Sequence, residues 1–281
     1  MPGSIRGLAV ASVWFRNRAF VSGALVGALV LLAGLTSLVY TPHDPEAVEI
    51  QLRLKAPGAG FTLGTDQFGR DVLSRLGVGA SVALIVAGVA TALSVAVGVP
   101  LGAGAGYLGG YVDEVVMRAM DGLLAFPALL LAIAVVAALG PGHWHAAIAI
   151  GVVGIPVFAR LTRGVVIAIA SREFVSAVRA QGATSFYILL RHVMPNVMAP
   201  ITVQASLGVG RAILAEAGLS YLGLGTQPPI ASWGKMLQEA QGFMGQAPWM
   251  AIFPGIAIAL AVLAFNMLGD GLRDLLDPRL R

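Results

Sequence analysis

The chain of 281 residues has no cysteine, and only 11% of it is charged, against roughly a quarter in an ordinary soluble domain. Without cysteine there is no disulfide framework, no thiol nucleophile and no thiolate metal site. The phosphate-binding pattern GxxxxGK[ST] is missing too: Gly234-Lys235 is followed by Met236 and lacks the upstream glycine. No HExxH occurs, and Ser81, Ser94 and Ser206 have no evident His or Lys partner, so hydrolase chemistry has nothing to rest on. Histidine is scarce; His143 and His145 flank Trp144 without a third ligand nearby and read as a loop pair, not a metal site. No catalytic residue, metal ligand or resident cofactor is expected.

What is present is apolar sequence, 57% of the chain, arranged in long runs. A bilayer core of about 30 Å needs roughly 20 apolar residues per helix. Runs at 19–40, 79–106, 122–139, 146–161, 197–219 and 249–268 are expected to cross, with Pro127 a possible kink in the third. The expected fold is an all-α polytopic membrane protein with six transmembrane helices. Residues 1–18 carry Arg6, Arg16 and Arg18 ahead of the first run; that run is longer than a signal-peptide core and no small-x-small site closes it, so it is expected to stay as a membrane helix. Residues 41–78 form a polar loop, with an amphipathic helix beginning near Asp71, and 79–281 form a core of five spans.

The net charge of +4 sits beside the spans, as in membrane proteins, and does not indicate nucleic acid. With the N-terminus inside, twelve basic residues fall in inner loops and five in outer ones, which predicts that both termini are cytoplasmic. Gly23 and Gly27 make a GxxxG pair, and Gly98, Gly102 and Gly106 repeat at four-residue spacing that allows close helix approach. Gly104, Gly106 and Gly109 spell GxGxxG, but they end a membrane span where no strand precedes, so dinucleotide binding is rejected.

The most informative polar stretch is 171–196, SREFVSAVRAQGATSFYILLRHVMPN, between two apolar runs. Phe174, Ala177 and Val178 fall at i, i+3 and i+4, one face of a short helix. Gly182 can stop that helix, Thr184 or Ser185 can cap a second, and Pro195 marks the start of the next long segment. Two short helices with a glycine corner at the membrane surface are expected.

Charge inside a span is costly and points to function. Arg211 and Glu216 lie in or near the fifth span, about 140° apart on a helix and so poor partners for each other. Each is a candidate for the translocation path or a subunit contact, and Glu216 also for the outer interface.

These residues carry a resemblance. The 171–196 stretch is similar to the cytoplasmic EAA loop of ABC importer permeases, with Ser176-Ala177-Val178 where Glu-Ala-Ala would stand, Gly182 at the glycine, and HVMPN at its end. The glutamate is absent and a valine replaces the second alanine, which removes any salt bridge the family glutamate makes. Three further blocks, at 63–84 (LGTDQFGRDVLSRLGVGASVAL), 109–133 and 214–237 (LAEAGLSYLGLGTQPPIASWGKML), resemble the dipeptide/oligopeptide/nickel group in order and spacing. The long stretch ahead of the GTDQFGRD block resembles the C-type member of the two paired permeases.

The resemblance implies a type I ABC importer permease fold in the bacterial cytoplasmic membrane. It also implies a heterodimer with a second permease, two cytoplasmic ATPase subunits that bind ATP and Mg, an extracytoplasmic binding protein, and no ATPase activity in this chain. It implies an ATPase-coupling site at Glu173, Ala177, Val178, Ala180, Gly182 and Ala183, and peptides as cargo moved by alternating access. The alternative cargo is nickel or another small solute. A secondary transporter would show inverted repeats, which the two halves do not display, and a protein-only channel would leave 171–196 without a task.

Overall fold

In the computed structural model the described residues are 18–276. The expected cytoplasmic segment up to residue 17, with Arg6 and Arg16, and the tail arginines Arg279 and Arg281 lie outside them. Helix α1 (Arg18–Ser37) is apolar on every side and exposes Leu25, Leu29 and Leu32, as a helix facing lipid does. Gly23 and Gly27 face α10 (Trp249–Leu276): a Cβ on Gly23 would come within 2.8 Å of the Met267 Cβ, so the GxxxG pair is a packing face.

Helix α2 (Val72–Leu108) begins where the amphipathic helix was expected, next to Asp71, and runs unbroken through the expected span at 79–106. The Asp71 side chain caps it, accepting from the Ser74 amide at 3.0 Å and the Ser74 hydroxyl at 2.6 Å. Its 37 residues span about 55 Å, well beyond the bilayer core. Alongside runs α5 (His143–Ala170), longer than the expected 146–161. The glycine repeat makes their seam: an added Cβ would meet Ile155 O at 2.6 Å from Gly98, Ala159 O at 2.2 Å from Gly102, and Arg163 O at 2.7 Å from Gly106. The constant offset in these pairs shows that α2 and α5 run parallel.

Parallel neighbours require the chain to return between them. It does so through α3 (Gly110–Leu124) and α4 (Ala128–Leu139), which meet at 91°. Pro127 is thus a right-angled break, not a kink in one span. The Pro127 ring disfavours helical geometry at the residue before it, and Pro127 itself is extended, at ψ 131°. Two acidic residues of α3 are ion-paired to α5, Asp113 with Arg163 and Asp121 with Arg160. Those pairs explain why α5 continues past the basic positions that had marked its expected end.

Helices α6 (Glu173–Ala180) and α7 (Ser185–Ile188) are short. From α7 the backbone passes through one π-helical turn (Leu189–Val193) into α8 (Met194–Tyr221). Pro195 has no N–H for the carbonyl four residues back, and the Asn196 side-chain amide donates to His192 O at 2.7 Å, so the widened turn is partly satisfied by a side chain. After a loop come α9 (Trp233–Ala240), capped by Ser232, and α10.

Five of the described helices are long and apolar enough to cross a membrane, and six segments are if the α3–α4 pair counts as one. The helix directions favour that count: α1 is antiparallel to α2 and α10, and α8 is antiparallel to α10, as Gly34 on Ser81, Gly77 on Ser37 and Ser206 on Phe265 show. Phe20 lies against Gly271, so both described ends share one side. The main core joins α2, α5, α8, α9 and α10, while a second apolar core ties the ends of α2, α5 and α8 to the 171–196 stretch.

A surface loop and a transmembrane cavity

The 171–196 stretch docks on the helix ends through few side chains. Val175, Ile188 and Val193 are fully buried, Val178 and Ala183 half-buried. Val175 is thus the inward anchor of α6, while Phe174 and Ala177, two of the three residues expected to share a face, point outward. Glu173 in the first turn of α6 and Arg179 in the last both complement the helix dipole. Gly182 follows α6 with φ +85°, a left-handed backbone that glycine takes without penalty, and its N–H donates to Arg179 O at 3.0 Å. Thr184, not Ser185, caps α7.

Glu173, Ala177, Ala180 and Gly182 are exposed, and an added Cβ at Gly182 meets nothing within 4 Å. The surface also presents Phe186, Tyr187 and Leu190, which the sequence reading passed over. Their signal was the run SFYILL, whose apolar residues outnumber what one buried face of a single turn can use.

At the opposite end, the 63–84 and 214–237 blocks fold onto each other. The Trp233 indole donates to Leu76 O at 2.9 Å and sits in the space left by Gly79. Beside them four charges are buried together: Arg70 bonds Asp66 at 2.6 Å and Glu239 at 2.8 Å, and Arg75 lies 3.4 Å from Glu239 and 3.5 Å from Asp66. Two cations and two anions balance, which is the condition for burying them.

A cavity of about 530 Å³ lies at mid-helix level between α2, α5, α8 and the α3–α4 elbow. Thr91 and Ser94 line it from α2, Gly154 and Phe158 from α5, Leu124 and Phe126 from the elbow, and Gln204, Gly208 and Arg211 from α8. Arg211 is exposed there. Glu216 is not in the lining: it is fully buried in the chain's own core, where its Oε1 accepts from the Ser220 hydroxyl at 2.6 Å and the Thr226 hydroxyl at 3.2 Å. The two charged residues of α8 thus stand apart, one open and one enclosed.

The inward-facing MetNI methionine ABC transporter has a chain similar to this one with a TM-score of 0.60, over 71% of this chain and 95% of that one, at 17% identity. The fold is therefore that of an ABC importer transmembrane subunit.

Residues 98–281 match the family described as binding-protein-dependent transport system inner membrane component. The dipeptide transport system permease protein DppC of Alkalihalophilus pseudofirmus is 43% identical over 266 residues, 95% of this chain and 88% of that protein. The glutathione transport system permease protein GsiD of Escherichia coli is 42% identical over 267 residues, again 95% of this chain and 88% of that protein. The probable D,D-dipeptide permease DdpC of Escherichia coli is 40% identical over 259 residues, 92% of this chain and 87% of that protein.

The chain belongs to the binding-protein-dependent transport inner membrane component family. It is an inner-membrane permease subunit of an ABC transporter and not itself the ATPase; ATPase subunits and a binding protein are its working partners.

Proposed function

We propose that this chain is one of two homologous permeases of an ATP-driven importer, and that its cargo is small peptides. The observation that carries the peptide assignment is similarity of 40–43% identity, over nearly the whole chain, to permeases named for dipeptides and glutathione. In this reading the loop end is cytoplasmic, in line with the arginine bias, and the 171–196 stretch is the ATPase socket. Glu173, Ala177, Ala180, Gly182, Phe186 and Tyr187 present the contact surface. Val178 and Ala183 seat it, because both are half-buried against the helix ends. Glu216 holds the loop after α8 through Ser220 and Thr226 and takes no part in the path.

Energy enters as movement of this socket. Closure of the ATPases displaces α6 and α7, and the displacement passes to α5 and α8, which share a core with them. Alternating access then follows from rocking of the bundle against the second permease.

The test is purification of the chain from its native membrane in mild detergent, as it is and with Gly182→Asp. A second permease and ATPases should accompany the parent chain, the ATPases should be lost from the variant, and the parent complex, supplied with its binding protein, should take up trialanine into liposomes only with ATP. A chain that emerges alone and moves trialanine without ATP would be a secondary carrier, and the importer reading would fall.

A further inference from the structure

Arg211 is the one side chain of the cavity with a full charge. It stands about 5 Å from the midpoint of α8 along the helix axis. Charge at such depth costs about 3 kcal/mol or more unless something answers it. Among the described residues no carboxylate lies within ion-pair distance of Arg211; its Nε donates to Leu207 O at 3.3 Å, and that is all. By contrast, Arg70, Arg75, Arg160 and Arg163 all have carboxylate partners.

A second group waits beside it. Thr91 is 8% exposed, and its hydroxyl has no hydrogen-bond partner. It faces α8 across Gly208, where an added Cβ would stand 3.6 Å from that hydroxyl. Gln204, Gly208 and Arg211 follow at i, i+4 and i+7, so the amide, the gap and the guanidinium form one stripe. The opposing wall, from Leu124 and Phe126, is apolar, and the lining contains no acidic residue.

We propose that Arg211, Gln204 and the Thr91 hydroxyl form a carboxylate-binding subsite in the transmembrane cavity, which takes the C-terminal carboxylate of a passing peptide. The guanidinium supplies paired N–H donors for two carboxylate oxygens, and the threonine hydroxyl gains the partner it lacks. The elbow wall accepts an apolar side chain. An ammonium group finds no counter-charge in this lining, so the site reads one end of the peptide only. The identity of the ligand rests on the peptide-importer reading; the charge selectivity does not.

The absence of cysteine from the chain allows a direct test on the whole complex. Ala215→Cys puts a thiol on the cavity wall one turn beyond Arg211. It is labelled with a sulfonatoethyl or a trimethylammonioethyl methanethiosulfonate, and the modification is read on this chain by mass. The anionic reagent should be favoured by about tenfold over its rate ratio in the added Arg211→Gln background, the size expected of a charge several ångströms away at intermediate dielectric. Arg211→Lys should keep most of that preference.

Trialanine should slow labelling and trialanine amide should not, and Thr91→Val should weaken the protection while leaving the charge preference intact. An unchanged rate ratio in Arg211→Gln would overturn the subsite. So would loss of the second permease from the Arg211→Gln complex, which would make Arg211 an intersubunit ion pair. Charge preference and protection in a complex that takes up no trialanine with ATP and its binding protein would sink the peptide-importer reading and still support the subsite.

Discussion

Arg75 and Arg211 are the same residue in two long membrane helices, and their settings are opposite. Arg75 is 1% exposed and held between Asp66 and Glu239, while Arg211 is open to a cavity with no anion near it. A buried ion pair adds little stability relative to an apolar replacement, yet breaking it by removing one partner is expensive. An unpaired charge on an open wall has the reverse profile: its removal spares the fold and costs whatever the charge was there to bind. Stability and function are thus assigned to different arginines.

The largest test of that contrast is Arg75→Met. It strands the carboxylates of Asp66 and Glu239 beside one remaining arginine and should destabilise the chain by about 3–5 kcal/mol, read as a lower midpoint in a thermal-unfolding assay in detergent. Arg211→Met should stay within about 0.5 kcal/mol of the parent in the same assay while uptake falls. Equal losses at both positions would erase the distinction.

Next in size is the helix seam. Gly102→Ala drives a methyl into the Ala159 carbonyl and should cost about 1–3 kcal/mol. Gly104→Ala, on open space two residues away, should be neutral or slightly stabilising by the same measurement.

At Gly182 an alanine meets no atom, only the wrong backbone, so Gly182→Ala should cost about 1–2 kcal/mol locally. Its readout is faster amide hydrogen exchange confined to α6 and α7, with the bundle unaffected. The smallest effect should come from Ser232→Ala, which removes the cap of α9 and costs about 1 kcal/mol. It should loosen the four-charge cluster at Glu239 without touching the cavity, visible as faster exchange in α9 and, because the Ser232 hydroxyl also bonds the buried Glu216 carboxylate, in the end of α8 around Glu216.

The spans were legible because lipid imposes a length on apolar runs, and 19–40, 197–219 and 249–268 fell close to α1, α8 and α10. What was illegible came from contacts between distant positions. The end of α5 was read too early because Arg160 and Arg163 look like loop residues until Asp121 and Asp113 arrive from α3. Pro127 could be seen, but hydropathy carries no angle, so the right-angled elbow was not foreseen. Which face of α6 turns inward was not legible, because an eight-residue helix offers too few turns to distinguish Val175 from Phe174. The four-charge cluster could not be assembled from sequence, since Glu239 stands far along the chain from Arg75. For Arg211 the reverse held: a charge in an apolar run is visible at once, whereas the empty space in front of it is not.

The glycine seam between α2 and α5 has a mechanical consequence. Most helix pairs touch through side chains, which can change rotamer and absorb a push. Here main chain rests on main chain at Gly98, Gly102 and Gly106, so neither helix can roll or slide against the other without collision. The pair behaves as one stiff beam. One end of it is continuous with α6 through Ser171 and Arg172, and the other is bolted through Arg75 to the buried charges at the far face. A displacement applied at the surface loop therefore reaches the opposite side of the membrane with little lost on the way.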